Sequence, residues 1–201
     1  MTKETVTVGR LAVVLCALFL SLNSYALTLT DNKDRYEAAI GMRWLADETH
    51  ALSPALALQA LLAGEGTEHT TAYPSLGFRD GFQWFLITVT NDSSVPYWFL
   101  RAGRPHLDYL DLYVFDADGN QIKHSQLGDR VPFDSRELAH YHLVTPLTLP
   151  VNAKRHLLIR ARGNNVIELP ATLMTPAAFN AHDNRLSVFH GLYFGAIAAM
   201  C

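Results

Sequence analysis

Apolar and polar positions alternate with a period of two along most of this chain, most strongly in the stretch 77–91, GFRDGFQWFLITVTN. Phe82, Trp84, Leu86 and Thr88 fall on one side of an extended chain, and Gln83, Phe85, Ile87 and Val89 on the other. Both sides are largely apolar, which predicts a strand buried inside a two-layer sheet domain. Asn91-Asp92-Ser93-Ser94 closes it in a polar turn.

The same period continues downstream. Tyr97 to Ala102 reads as a strand. Tyr109 to Asp116 alternates cleanly, with Leu110, Leu112 and Val114 on one face and Tyr109, Asp111, Tyr113 and Phe115 on the other. Asp116 to Asn120 (DADGN) has the composition of a hairpin turn, because Asp-Gly and Asn tolerate the positive φ such turns need. Gln121 to Ser125 returns, and Gly128 to Ser135 is a connection. Leu138 to Leu149, Arg155 to Arg162 and Ile167 to Met174 follow as strands, divided by Pro150 and Gly163-Asn164. Roughly seven or eight strands at this spacing predict a mainly β domain, a β-sandwich or jelly roll.

Two short helices interrupt the pattern. Ser53 can cap and Pro54 fits a first helical turn, so Ala55 to Ala63 is expected to be helical until Gly64 stops it. Thr175-Pro176 repeats that start and predicts a helix through Phe179 towards His182. Leu27 to Thr49 reads as a first strand and a connection, and Gly64 to Ser75 as a loop.

The chain termini follow a different pattern. Lys3 and Arg10, the apolar run Leu11 to Leu22, and Ser24-Tyr25-Ala26 make the three parts of a secretory signal, with cleavage expected after Ala26. An uncleaved anchor is the other reading of 1–26. Bulky Leu15 argues against lipidation at Cys16. From Leu186 polarity drops, and Gly191 to Cys201 is apolar, with small residues at Gly195, Ala196, Ala198 and Ala199. A spanning helix takes about 20 such residues. Residues 186–201 are therefore expected to be the first part of a transmembrane helix suited to close packing, the other reading being a core helix. Residues 27–182 lie between as the folded domain.

Composition narrows the chemistry. The 201 residues are 49% apolar and 17% charged, a balance that predicts folded structure rather than disorder. A net charge of −3 with no basic run excludes nucleic acid as a partner. Cys16 and Cys201 both lie in the apolar terminal runs, so residues between them form no disulfide framework or thiolate metal site. His140-Tyr141-His142 would put two imidazoles on one face of a strand, but no third ligand accompanies them, and no metal or cofactor is expected. Asp116-x-Asp118-x-Asn120 resembles the start of a calcium loop. It places Gln121 where glycine is needed and Leu127 where a bidentate glutamate is needed, so the hairpin reading stands.

Catalysis has no motif here: nucleophile elbow, phosphate-binding glycine loop and His-Glu-x-x-His are all missing, and no enzyme is expected. Asp108 and Asp111 alone do not make a glycosidase pair. Sugar rings stack on aromatic faces while planar polar groups bind their hydroxyls. Trp98, Tyr113 and Tyr141, with Arg136, are the candidate ligand-binding residues, and Trp84 is assigned to the core.

Several landmarks together resemble the type 2 extracellular domain of the bacterial seven-transmembrane receptors with diverse intracellular signalling modules. These are Gly41 to Asp47 before the Ser53-Pro54-Ala55-Leu56 helix start; Gly77 with Trp84 and Asn91; Leu107 to Tyr113; and Gly128 with Pro132-Phe133 and Arg136. Leu157-Leu158-Ile159-Arg160 and His190-Gly191-Leu192-Tyr193-Phe194-Gly195, which resembles the family's approach to its first transmembrane helix, complete the set. The resemblance implies a jelly-roll sensor domain similar to carbohydrate-binding modules, facing the periplasm and anchored in the inner membrane. It also implies a small-molecule ligand, a carbohydrate among the classes to test, and relay to membrane helices and a cytoplasmic output such as a diguanylate cyclase or histidine kinase. A homodimer is compatible with this reading. Two alternatives stay open: a secreted carbohydrate-binding protein, or a protein-interaction module without a signalling role.

Overall fold

The computed structural model describes residues 26–183. The expected signal segment up to residue 25 and the apolar run from Leu186 fall outside the described residues, while Ala26, the last residue of the expected signal, begins the first strand. Within them, eleven strands form two sheets. Sheet A holds β1 (Ala26–Leu29), β3 (Arg43–Asp47), β4 (Thr67–Glu68), β5 (Phe82–Asn91), β7 (Tyr109–Phe115), β8 (Gln121–Leu127) and β10 (Ala153–Arg162), in the order β4-β3-β5-β10-β7-β8 with β1 beside β5. Sheet B holds β2 (Arg35–Glu37), β6 (Tyr97–Ala102), β9 (Val144–Thr148) and β11 (Ala171–Met174), in the order β2-β11-β6-β9.

β5 is the axis of sheet A. Along one edge β10 pairs with it antiparallel from Gln83 to Asn91. Its other edge is shared end to end: β3 pairs antiparallel with residues 82–86, and β1 pairs in parallel with residues 88–91. Both faces of β5 are covered. Phe85, Ile87 and Val89 meet Leu110, Leu112, Leu157 and Ile159, with Trp98, Leu100, Leu147 and Leu173 of sheet B, in the core between the sheets. Trp84 and Leu86 point outward, where helix α1 (Pro54–Leu62) lays Ala57, Leu58 and Leu61 over them. The two-faced pattern in the sequence is therefore the mark of a strand sandwiched between a sheet and a helix.

Helix α1 starts as its sequence dictates. Ser53 is the N-cap, its Oγ accepts the Leu56 amide at 3.3 Å, and Pro54 occupies the first turn. Asp47 holds the segment before it: Oδ1 accepts the Ala51 amide, and Oδ2 accepts the Leu52 amide and the buried Trp84 indole. Burial opposes ionisation of Asp47, but these donors outweigh it and hold the carboxyl below its ordinary value. A second helix, α2, begins at residue 176 and is described to 183. Thr175 Oγ1 accepts the Ala178 amide at 3.2 Å, and Phe179 packs on Phe99, Val144 and Met174 of the outer face of sheet B. The architecture is thus helix, sheet, sheet, helix.

Three expectations need correction. Eleven strands stand where seven or eight were counted. Residues 27–49 hold three strands rather than one, and Thr67–Glu68 adds a short edge strand. The long strand expected from Leu138 to Leu149 shrinks to Val144–Thr148. Residues 138–143 bridge from sheet A to sheet B instead, because Arg136 clasps the carbonyls of Gly128 and His140, and His140 Nδ1 accepts the His142 amide. The strand expected from Ile167 begins only at Ala171, since Ile167 exchanges backbone bonds with Leu76 and Gly77 in a loop.

Candidate functional site at the loop end of sheet A

Strands of sheet A run so that β3 and β10 end, β8 ends, and β5 and β7 begin at one rim. Five loops therefore converge there. They enclose a cleft of about 360 Å³ lined by His50, Arg79, Asp80, Gly81, Asp108, Tyr109, Arg130, Arg162, Gly163 and Asn164. That volume lies within the range of small-molecule sites, roughly 300–1,000 Å³.

Two of its charges are exposed arginines seated on rings. The Arg162 guanidinium lies 4.8 Å from the Tyr109 ring centre and 5.7 Å from that of Phe82. Arg79 sits 5.5 Å from the Trp44 ring, and its Nε donates to the Leu76 carbonyl at 3.1 Å. Stacking of this kind holds a guanidinium in place and leaves its in-plane N–H groups pointing outward. Neither arginine has a carboxylate partner among the described residues. Arg130, the third, is mostly exposed and reaches only to 3.8 Å from Asp108 Oδ1. Asp108 is already engaged, because its Oδ2 accepts the Asn164 amide at 2.9 Å.

Glycine makes the rim close. Gly128 has φ +132, and a Cβ there would stand 2.3 Å from the Asp108 carbonyl oxygen. That approach lets the Asp129 amide bond Leu107 O and the Arg130 amide bond Asp108 O, which brings Arg130 to the cleft. His50, at φ 57, lays its ring 4.4 Å from Phe82 and closes the opposite side.

Behind the cleft, the outer face of sheet A carries a bonded polar row. The register places Trp84, Arg160, Asp111 and Gln126 side by side. Asp111 Oδ2 accepts Arg160 Nη2 at 2.8 Å and Nε at 3.1 Å, while Oδ1 faces His124 Nε2 at 2.9 Å and accepts Gln126 Nε2 at 3.1 Å. Burial raises the Asp111 carboxyl, and these partners more than reverse that, so it stays ionised. Arg160 in turn lies 4.5 Å from the Phe82 ring. With all four acceptor positions used, Asp111 serves as an anchor for the face and not as a free acid.

The four sequence-derived candidates are scattered. Trp98 is 1% exposed in the core between the sheets, its Nε1 donating to Val95 O and its ring meeting Tyr36 edge-on, so it presents no face to a ligand. Tyr113 is 6% exposed, with one face stacked on His124 at 4.3 Å. Arg136 is the loop clasp described above, lying 5.0 Å from the Phe133 ring. Tyr141 is 55% exposed and lies beside His140 and His142, away from the cleft. Only Arg136 and Tyr141 share a segment, and none of the four lines the cleft. The cleft residues had a signal of their own: Arg79, Arg130 and Arg162 each stand within two residues of a glycine, at strand ends that alternate along the chain.

The remaining motifs resolve locally. His140 and His142 lie in the loop before β9, with ring centres 5.6 Å apart. Among the described residues no group of three or more His, Cys, Asp or Glu side chains could hold a metal. Asp116 accepts the amides of Asp118 and Asn120 and the Asn120 side chain, closing the β7–β8 hairpin. No helix among the described residues is long and apolar enough to cross a membrane.

Comparison with solved structures finds loose similarity. A family 6 carbohydrate-binding module is 6% identical, with 75% of this chain and 96% of that one covered at a TM-score of 0.35. A family 35 carbohydrate-binding module from an environmental isolate is 14% identical, with 71% and 93% covered at 0.31. The insecticidal delta-endotoxin Cry8Ea1 from Bacillus thuringiensis is 15% identical, with 45% of this chain and 17% of that one covered at 0.29. No curated protein matches the chain. The model of the family 7TMR-DISM extracellular 2 matches residues 40–175, well over half of the sequence. That span takes in β3 to β11, α1 and every loop of the cleft. It is a family of receptor sensor domains rather than enzymes, and its members work outside the cytoplasm in membrane-associated proteins. This chain belongs to the 7TMR-DISM extracellular 2 family.

Proposed function

We propose that the described domain is the periplasmic ligand-sensing module of a bacterial membrane receptor. In this reading residues 1–26 export it and the segment from Leu186 anchors it in the inner membrane. A small molecule, with carbohydrates the first class to test, binds in the cleft at the loop end of sheet A. The event passes through β11 and α2 towards the membrane and a cytoplasmic output domain. The observation that carries this reading is the convergence of five loops of one sheet on a single cleft, inside a domain of a sensor family.

The test is a thermal-shift panel of neutral and acidic sugars, amino acids and nucleotides on the 201-residue chain in mild detergent. A ligand at 100 times its Kd stabilises the folded state by about 2.7 kcal/mol. The expected result is a shift with one class of compound that Tyr109→Ala removes. No shift across the panel, or one indifferent to Tyr109→Ala, overturns the reading. A protein partner that co-purifies instead, or a chain that stays monodisperse without detergent, favours the interaction-module and secreted readings respectively.

A further inference from the structure

Charge in the loop-end cleft is distributed unevenly. Its two acids are Asp80 and Asp108; Asp108 is bound to the Asn164 amide and faces Arg130. Against them stand three guanidinium groups, and the Arg162 side chain donates no hydrogen bond to any described residue. Two of the three lie over aromatic rings, Arg79 over Trp44 and Arg162 over Tyr109. A guanidinium presents a planar fork of N–H donors that matches two oxygens of a carboxylate or phosphate, and a neutral hydroxyl uses only part of it. A cleft made for neutral sugars alone would gain little from three such forks, while their mutual repulsion would weaken the empty rim. An oxyanion between them relieves that repulsion and fills the donors at once.

Resting on the assignment of this cleft as the sensor site, we infer that its ligand is anionic: a molecule of about monosaccharide size carrying a carboxylate. Arg162 and Arg79 are the paired recognition groups, and Arg130 closes from the β8–β9 loop. The Tyr109 hydroxyl and the Asn164 side chain lie at the same rim for the ligand's neutral oxygens. Phosphate esters share the oxyanion chemistry and form a separate arm of the test.

Isothermal titration of the 201-residue chain in mild detergent, with galacturonate, galactose and glucose 6-phosphate at two salt concentrations, tests this. The expected result is galacturonate at least about tenfold tighter than galactose, with affinity falling as salt rises. Arg162→Gln should bring that ratio to near one. Arg162→Lys should recover part of it, since the charge returns without the fork. Equal affinity for galacturonate and galactose, both lost in Tyr109→Ala, overturns the inference and leaves the sensor site standing. Glucose 6-phosphate tighter than galacturonate overturns the choice of carboxylate. Absence of binding by all three overturns the inference outright, and the wider panel then decides whether the cleft is a site at all.

Discussion

His140 Nε2 donates to Asp183 Oδ2 across 2.8 Å, tying the loop before β9 to α2. The direction of that bond follows from its neighbour. His140 Nδ1 accepts the His142 amide at 3.0 Å, so the ring proton resides on Nε2. The Phe179 ring lies 5.3 Å from the same imidazole, so one histidine meets both the apolar and the polar side of α2.

Asp183→Asn should therefore loosen α2 more than the domain as a whole. A hydrogen bond to a charged group contributes about 1.5–3 kcal/mol. Hydrogen exchange should show faster exchange of the described α2 amides, residues 177–183, with the strands of sheet A unchanged. Equal loss of protection everywhere would mean that this contact is part of the global fold and not a local latch.

Asn91, with no exposed surface, should tolerate no replacement. Its Nδ2 donates to the carbonyls of Val95 and Leu149, and its Oδ1 accepts the amide and hydroxyl of Ser93. Asn91→Ala leaves these groups buried and unpaired and should cost about 2–4 kcal/mol, read as a lower urea midpoint. Asn91→Asp should be worse, since a carboxylate would face the two carbonyls.

Acid should weaken the domain in a defined window. Burial, and for His156 the Lys154 ammonium, holds that imidazole at about 4 against an ordinary 6.5. Burial and then Arg101 do the same for His142, also to about 4. Between those values the unfolded chain binds protons that the folded chain refuses, so stability is full above pH 6.5 and falls as pH drops towards 4. Urea titrations across that range should show the decline. His156 Nδ1 lies 3.0 Å from Thr88 Oγ1, and His156→Gln, which leaves a polar side chain at that position, should remove part of the slope. A flat profile in the parent chain would contradict the assignment.

Gly128→Ala should damage the cleft through the backbone. Its φ of +132 and the 2.3 Å approach to Asp108 O leave no room for a methyl group. The rim must open, with an expected loss of about 2 kcal/mol or more in stability. Any ligand-induced thermal shift should shrink in parallel, since Arg130 follows Gly128 in the chain.

Much of this fold is legible in the chain, and the exceptions share a cause. Tyr97 to Ala102 and Tyr109 to Phe115 show their period openly because their two faces differ in composition, mostly aliphatic residues turned to the core between the sheets and aromatic or polar ones to the outer side. The caps at Ser53 and Thr175 are local signals and lie where the sequence puts them. By contrast, residues 27–49 hide three strands because β1 and β3 go to sheet A and β2 between them to sheet B, and none is long enough to show a period. His140 and His142 read as strand residues until the Arg136 clasp is known, and that clasp is tertiary. The cleft was the least legible part. Its arginines stand beside glycines in the sequence, a weak mark, and come together only when the topology brings five strand ends to one rim. Trp98 shows the converse: an aromatic suited to stacking on a sugar is as well suited to filling a core.

The last strand of the described domain has a mechanical consequence. β11 lies inside sheet B, laddered to β2 on one side and β6 on the other, and it runs directly into α2. A pull on α2 along the strand would load both ladders in shear, with every bond resisting together, instead of peeling them open one at a time. The compliant point is then Thr175, where the backbone leaves the sheet with its amide bonded to Asp34 O at 2.9 Å. Force arriving from α2 would pivot the helix about that joint while β11 stayed seated, as a lever turns on a fixed fulcrum.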